Sequence, residues 1–233
     1  MLLSGATKMT VVAAIAAAAF MGLQGKNEPT PPLFEAIDIT LADGKSLQVG
    51  RDEIRHALWM ECVADSACEQ TDQIKVAVGA ITFPVTDINP MDIAKFIDWL
   101  NAKTNESWRL PTLSEWRDYS SARPEETRKR FTDPRLYWAA DYGIKKPFVR
   151  AVQNSGYYGT LPNGLRDIAG NVWEWTSTCT NGEREGSRCP AYFVVGEHEA
   201  EIPVFLRDVI TGGCSSGTPP TNLGFRVVRE IKR

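Results

Sequence analysis

Pro162-Asn-Gly-Leu-Arg-Asp-Ile-Ala-Gly-Asn-Val-Trp-Glu-Trp175 is the stretch on which the fold turns. Glycines, a proline and asparagines interrupt every helical or strand period, yet two tryptophans and two carboxylates fall within nine residues. Large rings bury much area each, so such a segment builds core without regular structure. Trp99, Trp108, Trp116, Trp173 and Trp175 are expected in that core, whereas Trp59 and Trp138 are expected to be partly exposed.

Upstream lies Arg109-Leu-Pro-Thr-Leu-Ser-Glu-Trp116. Thr112 and Glu115 have the spacing of a capping box, hydroxyl and carboxylate each satisfying a backbone donor, and predict a helix to about Ala122. Before it, Asn89-Pro90 opens the clearest helix. Pro90 suits the first helical position, and Ile93, Phe96, Ile97 and Leu100 recur at helical spacing. Asp52 to Ala64 reads as another helix, with Ile54, Leu58 and Cys62 on one face. Ile37 to Val49 alternates around Asp43-Gly44, which predicts a hairpin. Ala77 to Phe83 reads as a short strand, and Phe225 to Arg229 as a final one. Residues 123–165 show no sustained period, and 179–203 read as a charged surface excursion. These elements predict an α+β fold, irregular, with two main helices and an antiparallel sheet.

The chain has 233 residues, 43% hydrophobic and 24% charged, which suits one globular domain with its own core. Its net charge of -3, without a basic patch, argues against a nucleic-acid partner. Lys8 precedes an apolar run, Val11 to Leu23, too short to span a bilayer comfortably. Residues 1–25 therefore read as a secretory signal peptide, 26–36 as a linker and 37–233 as the domain, periplasmic and with no stable membrane span. The alternatives for the apolar run are an uncleaved anchor or a buried helix.

Five cysteines and two histidines are present. With no Cys-x-x-Cys pair and no histidine cluster, zinc is poorly supported. In an oxidising compartment the short-loop disulfides Cys62–Cys68 and Cys179–Cys189 are the simplest pairing, although four cysteines can pair in three ways. In the cytosol all five would be thiols. An iron site of two imidazoles and a carboxylate would need His56 and His198 together, and they lie on a helix and in the charged excursion respectively.

Several of these segments resemble one family, the formylglycine-generating enzymes or sulfatase-modifying factors. Arg109 to Trp116 resembles its "R-L-P-T-E-A-E-W" element, Pro162 to Trp175 its "G-N-V-W-E-W" region, and Asn222-Leu-Gly-Phe-Arg226 its closing "G-F-R" strand. Phe83-Pro-Val85 and the following helix match the stretch before the first element, so the likeness runs from about 49 to 229.

The resemblance implies a fold related to C-type lectins, and active members that bind calcium and oxidise a sulfatase cysteine with a copper-bound cysteine pair. It places one calcium ion on the side chains of Asp167 and Glu174 and the carbonyls of Gly170 and Val172, a hard-oxygen set. Alternatively, the two acids cap backbone donors or meet Arg226 in an ion pair. Pro162 to Leu165 is two residues shorter than the family pattern.

The catalytic segment transfers worst. It corresponds to Thr211-Gly-Gly-Cys214 and onward, shortened and without a second cysteine, so no copper is expected. Cys214 then stays a free thiol, either reactive or a small buried residue. Other members are binding or regulatory modules without catalysis, among them periplasmic regulators of the type VI secretion phosphorylation pathway. A non-catalytic module (a pseudoenzyme) is expected on this basis, with an envelope protein, such as the periplasmic part of a membrane kinase, as partner.

Overall fold

The computed structural model describes residues 33–70, 82–123, 152–168, 170–182, 189–196, 199–207 and 222–231. The predictions for Ala77 to Ile81, Trp138, His198 and Cys214, and for the signal segment, lie outside these residues.

The hairpin forms as its turn chemistry requires. Strand β1 (Ala36–Thr40) pairs antiparallel with β2 (Ser46–Gly50), and Gly44 turns at φ 86. Strand β7 (Val228–Glu230) completes a sheet of order β1-β2-β7. A second sheet has order β5-β4-β3-β6, built from β3 (Trp173–Cys179), β4 (Ala191–Val195), β5 (Glu199–Pro203) and β6 (Leu223–Gly224). Its β3–β6 pair is parallel and the other pairs are antiparallel.

Helix α2 (Pro90–Thr104) starts where Asn89-Pro90 placed it. Asn89 Oδ1 accepts from the N–H groups of Met91 and Asp92, while Asp92 returns a carboxylate to the Asn89 N–H at 3.1 Å. Helix α3 (Leu113–Tyr119) carries the predicted box, with Thr112 Oγ1 accepting from Glu115 N and Glu115 Oε2 from Thr112 N. It ends three residues before Ala122.

Three further elements differ from expectation. The first helix, α1, spans His56–Ala64, and Asp52 to Arg55 stay outside it because Ile54 is held on both sides: its N–H donates to Phe225 and its carbonyl accepts from Val85. The expected final strand is two short ones, with 225–227 passing between them and Val227 accepting from Gly50 N. The charged excursion contains the β4–β5 hairpin. In β5 Glu199 and Glu201 alternate with Ala200 and Ile202, which face inward and are 2% and 1% exposed.

The core has two parts. The larger gathers Trp59, Phe96, Trp99, Trp175 and Phe225; the smaller gathers Leu47, Trp116, Tyr119 and Leu165. The five motif tryptophans are all buried, as their density suggested. Trp59 is buried too, contrary to expectation: it stacks on Phe96 with ring centroids 5.5 Å apart and donates to the Glu69 carbonyl. Among the described residues no helix is long and apolar enough to cross a membrane.

Candidate functional site

The three signature segments converge on one carboxylate. Glu174 faces inward from β3, with its side chain 2% exposed. Trp116 of α3 donates its indole N–H to Glu174 Oε2 at 2.9 Å. Arg226 donates to Oε1 from Nε at 3.1 Å and from Nη2 at 2.8 Å.

The remaining Arg226 donors go to backbone carbonyls. Nη1 reaches Gly50 and Arg51, and Nη2 also reaches Arg166. All five donors of a guanidinium are thereby used, which is the condition for burying one. Its side chain is wholly buried, and the facing carboxylates hold its pKa above the ordinary arginine value despite burial.

Around this pair the motifs brace each other. Arg109 grips Glu115 through two bonds of 2.7 and 2.8 Å, and its backbone exchanges bonds with Val228. Leu113 N donates to Thr178 Oγ1, and Ser177 N to the Pro111 carbonyl, fixing α3 to β3. Trp175 donates to the Ile88 carbonyl just before α2.

Asp167 and Asn171 adopt left-handed backbone, φ 58 and 62, a conformation that Asp and Asn tolerate better than most residues. Asp167 accepts the N–H groups of Gly156 and Tyr158. Its carboxyl is nevertheless held above the ordinary aspartate range, chiefly by burial. Gly170 has no room for a side chain, since a Cβ would stand 2.7 Å from Tyr158 Cγ.

Calcium can be judged against this geometry. Both carboxylates of the expected set are committed to protein donors, and Arg226 already supplies the positive charge that the ion would bring. The arrangement does not fit the ion. Among the described residues no cluster of three His, Cys, Asp or Glu side chains could hold a metal.

Sequence reasoning missed one charged neighbour. Glu53 is 2% exposed, and neither carboxylate oxygen has a hydrogen-bond partner. Desolvation, reinforced by Glu174 and Asp167 and opposed by Arg226, drives its pKa well above the usual carboxylate range. Its place inside the expected first helix hid it, because a charge there is ordinarily a solvated face.

Both short-loop disulfides, Cys62–Cys68 and Cys179–Cys189, are formed. Of five cysteines only Cys214 is then left, so a two-thiolate copper centre has no second sulfur to draw on. His56 is half-buried at the start of α1, and burial lowers its pKa.

Three sequence-distant motifs meeting on one buried acid, in an α+β frame with little regular structure, define a sulfatase-modifying-factor-like domain. The chain belongs to the Sulfatase-modifying factor enzyme 1-like domain family, which matches residues 11–231. Among solved structures it is similar to the Treponema denticola variable protein 1, at 14% identity and TM-score 0.55, covering 84% of this chain and 95% of that one. It is also similar to PvdO from Pseudomonas aeruginosa, at 16% identity and TM-score 0.53, covering 81% and 82%. CarF follows at 18% identity and TM-score 0.50, covering 80% and 87%. At these identities the likeness is one of fold. No curated protein matches the chain.

Proposed function

We propose that this chain is an exported, non-catalytic sulfatase-modifying-factor-like domain that works as an interaction or regulatory module of the bacterial envelope. The observation carrying this reading is the cysteine count. Two disulfides consume four of five sulfurs, so the scaffold is kept while the paired thiolates that family chemistry needs cannot be assembled. Disulfides also persist chiefly in oxidising compartments, which supports export. Loops would carry the contacts, those around residues 123–160 and 179–205, because irregular segments often bear function.

The partner in this reading is another envelope protein, with the periplasmic part of a type VI secretion kinase as the first candidate. Co-purification from solubilised membranes, with metal analysis of the purified chain, tests it. A defined envelope partner and no stoichiometric copper or iron are expected. Copper or iron at one per chain, with turnover lost in Cys214→Ser, would instead make it a formylglycine-generating or related oxidative maturation enzyme.

A further inference from the structure

Strand β1 forms one margin of the sheet β1-β2-β7, and its bonding pattern leaves alternate backbone groups unused. Arg51 N donates to the Glu35 carbonyl and Leu41 N to the Lys45 carbonyl. Bonded and non-bonded pairs alternate along an antiparallel ladder, so in the register that sets Ala36 opposite Gly50 and Thr40 opposite Ser46 the groups of Ile37 and Ile39 face β2. The N–H and C=O groups of Ala36, Asp38 and Thr40 point the other way, and among the described residues they have no partner.

The other margins are closed or blunted. Val228 of β7 exchanges backbone bonds with Arg109, and β6 is only two residues long. Along β5, the bond from Val204 N to the Pro190 carbonyl sets the alternation that turns Glu199, Glu201 and Pro203 outward, and Pro203 has no N–H to offer. Prolines, lysines and bulges are the usual guards of an edge. Strand β1 has none of them, and its register runs unbroken over five residues. An unguarded edge is a template for an added strand.

Side chains set what that strand contains. Ile37 and Ile39 are half-buried and, like Leu161, pack against the smaller core, so a neighbouring strand meets apolar surface on that face. On the other face a row of side chains crosses the sheet: Arg229 Nε donates to Gln48 Oε1 at 2.9 Å, and Gln48 Nε2 to Asp38 Oδ1 at 2.8 Å. The row ends at the open edge in the exposed Asp38 carboxylate, which a cation on the added strand would continue. A second copy fits badly. Laid antiparallel on itself in full register, β1 sets Asp38 against Asp38, and like charges directly opposite repel.

We propose that β1 is a docking edge for an extended segment of the partner protein, which adds as an antiparallel strand with apolar residues opposite Ile37 and Ile39 and a lysine or arginine opposite Asp38. The proposal deepens the interaction-module reading and rests on it, giving the partner a strand edge in addition to loops.

Labelled Ser-Thr-Val-Lys-Val-Thr-Ser, blocked at both ends, tests this by fluorescence anisotropy with the full chain. One counterpart carries glutamate for the lysine; another carries a methyl group on the lysine amide nitrogen, which removes the bond to the Asp38 carbonyl. Saturable binding of the lysine peptide is expected, about fivefold weaker binding of the glutamate peptide and none of the methylated one. Asp38→Lys, at unchanged melting temperature, should reverse the preference between lysine and glutamate. Amide hydrogen exchange at Ala36, Asp38 and Thr40 should be fast in the free chain and slow in the complex, while Ile37 and Ile39 exchange slowly in both. No binding, equal binding of the methylated peptide, or a preference that Asp38→Lys leaves unchanged would overturn the proposal. So would slow exchange of the three amides in the free chain, the sign that a second copy already covers the edge. A membrane partner that binds without slowing those amides would also overturn it, while leaving the module reading intact.

Discussion

Arg226 and Glu174, 52 residues apart in sequence, meet at 2.8 Å with side chains 0% and 2% exposed. The pair joins the closing strand region to β3, and its other bonds reach the end of β2 and the Arg166 carbonyl. Four stretches of chain that share little regular structure are fastened at one point.

Removing one partner leaves the other charge buried and unpaired, which costs about 3–5 kcal/mol. Glu174→Gln and Arg226→Met should each lose stability on that scale in urea unfolding. The double variant should lose less than the sum, because the second substitution removes the orphaned charge. Strict additivity would mean that the two side chains do not act as a unit.

What could be read from sequence follows from this construction. Local devices were legible: the Asp43-Gly44 turn, the Thr112 and Glu115 box, and the Asn89-Pro90 start each act over a few residues. Strand β3 was not, since Trp173 to Thr176 are all buried and show no alternation. The β4–β5 hairpin was hidden by its acids, of which Glu199 and Glu201 alternate with buried residues along β5. The Glu174–Arg226 pair could be named only as an alternative, because nothing local distinguishes an acid that faces a guanidinium from one that holds a metal.

Glu53 should make the protein sensitive to rising pH. Its folded pKa is raised well above the ordinary carboxylate value by burial, so between the unfolded and folded values the native state keeps a proton that the unfolded chain has released. Stability contributed by this group is full below the unfolded value, near pH 4.3, and falls by up to about 1.4 kcal/mol per pH unit above it until the folded value is reached. Asp167, shifted the same way, adds to the slope. Glu53→Gln keeps the shape and removes the titration. Its melting temperature should match the parent near pH 4 and exceed it at pH 8, and a variant no more stable than the parent at pH 8 would show that Glu53 ionises there without cost.

Calcium should not be needed to hold the Gly170 to Trp175 segment, because the carboxylates of the expected set already have protein donors. An ion present at about 100 times its Kd would add about 2.7 kcal/mol to stability. Melting curves in excess EDTA and in millimolar calcium are expected to coincide. A calcium-dependent rise would place an oxygen cage at this loop after all.

The disulfides should yield to reductant in order. Cys62 and Cys68 are 0% and 9% exposed and close a short loop after α1, where Cys62 packs in the larger core. Cys179 and Cys189 are only half-buried, at the end of β3 and before β4. Thiol–disulfide exchange requires the attacking sulfur to reach its target in line, so access sets the order when the native state is intact. Brief treatment with dithiothreitol, then alkylation and peptide mass spectrometry, should label Cys179 and Cys189 first; Cys62 and Cys68 should follow only as the domain unfolds. Without reductant, the denatured chain should take up one equivalent of label, on Cys214, since the other four sulfurs are paired. Replacing both Cys62 and Cys68 by serine should cost about 2 kcal/mol, the loop-closure contribution expected for so short a ring. Label appearing on Cys62 before Cys189 would mean that the α1 end opens independently of the core it packs against.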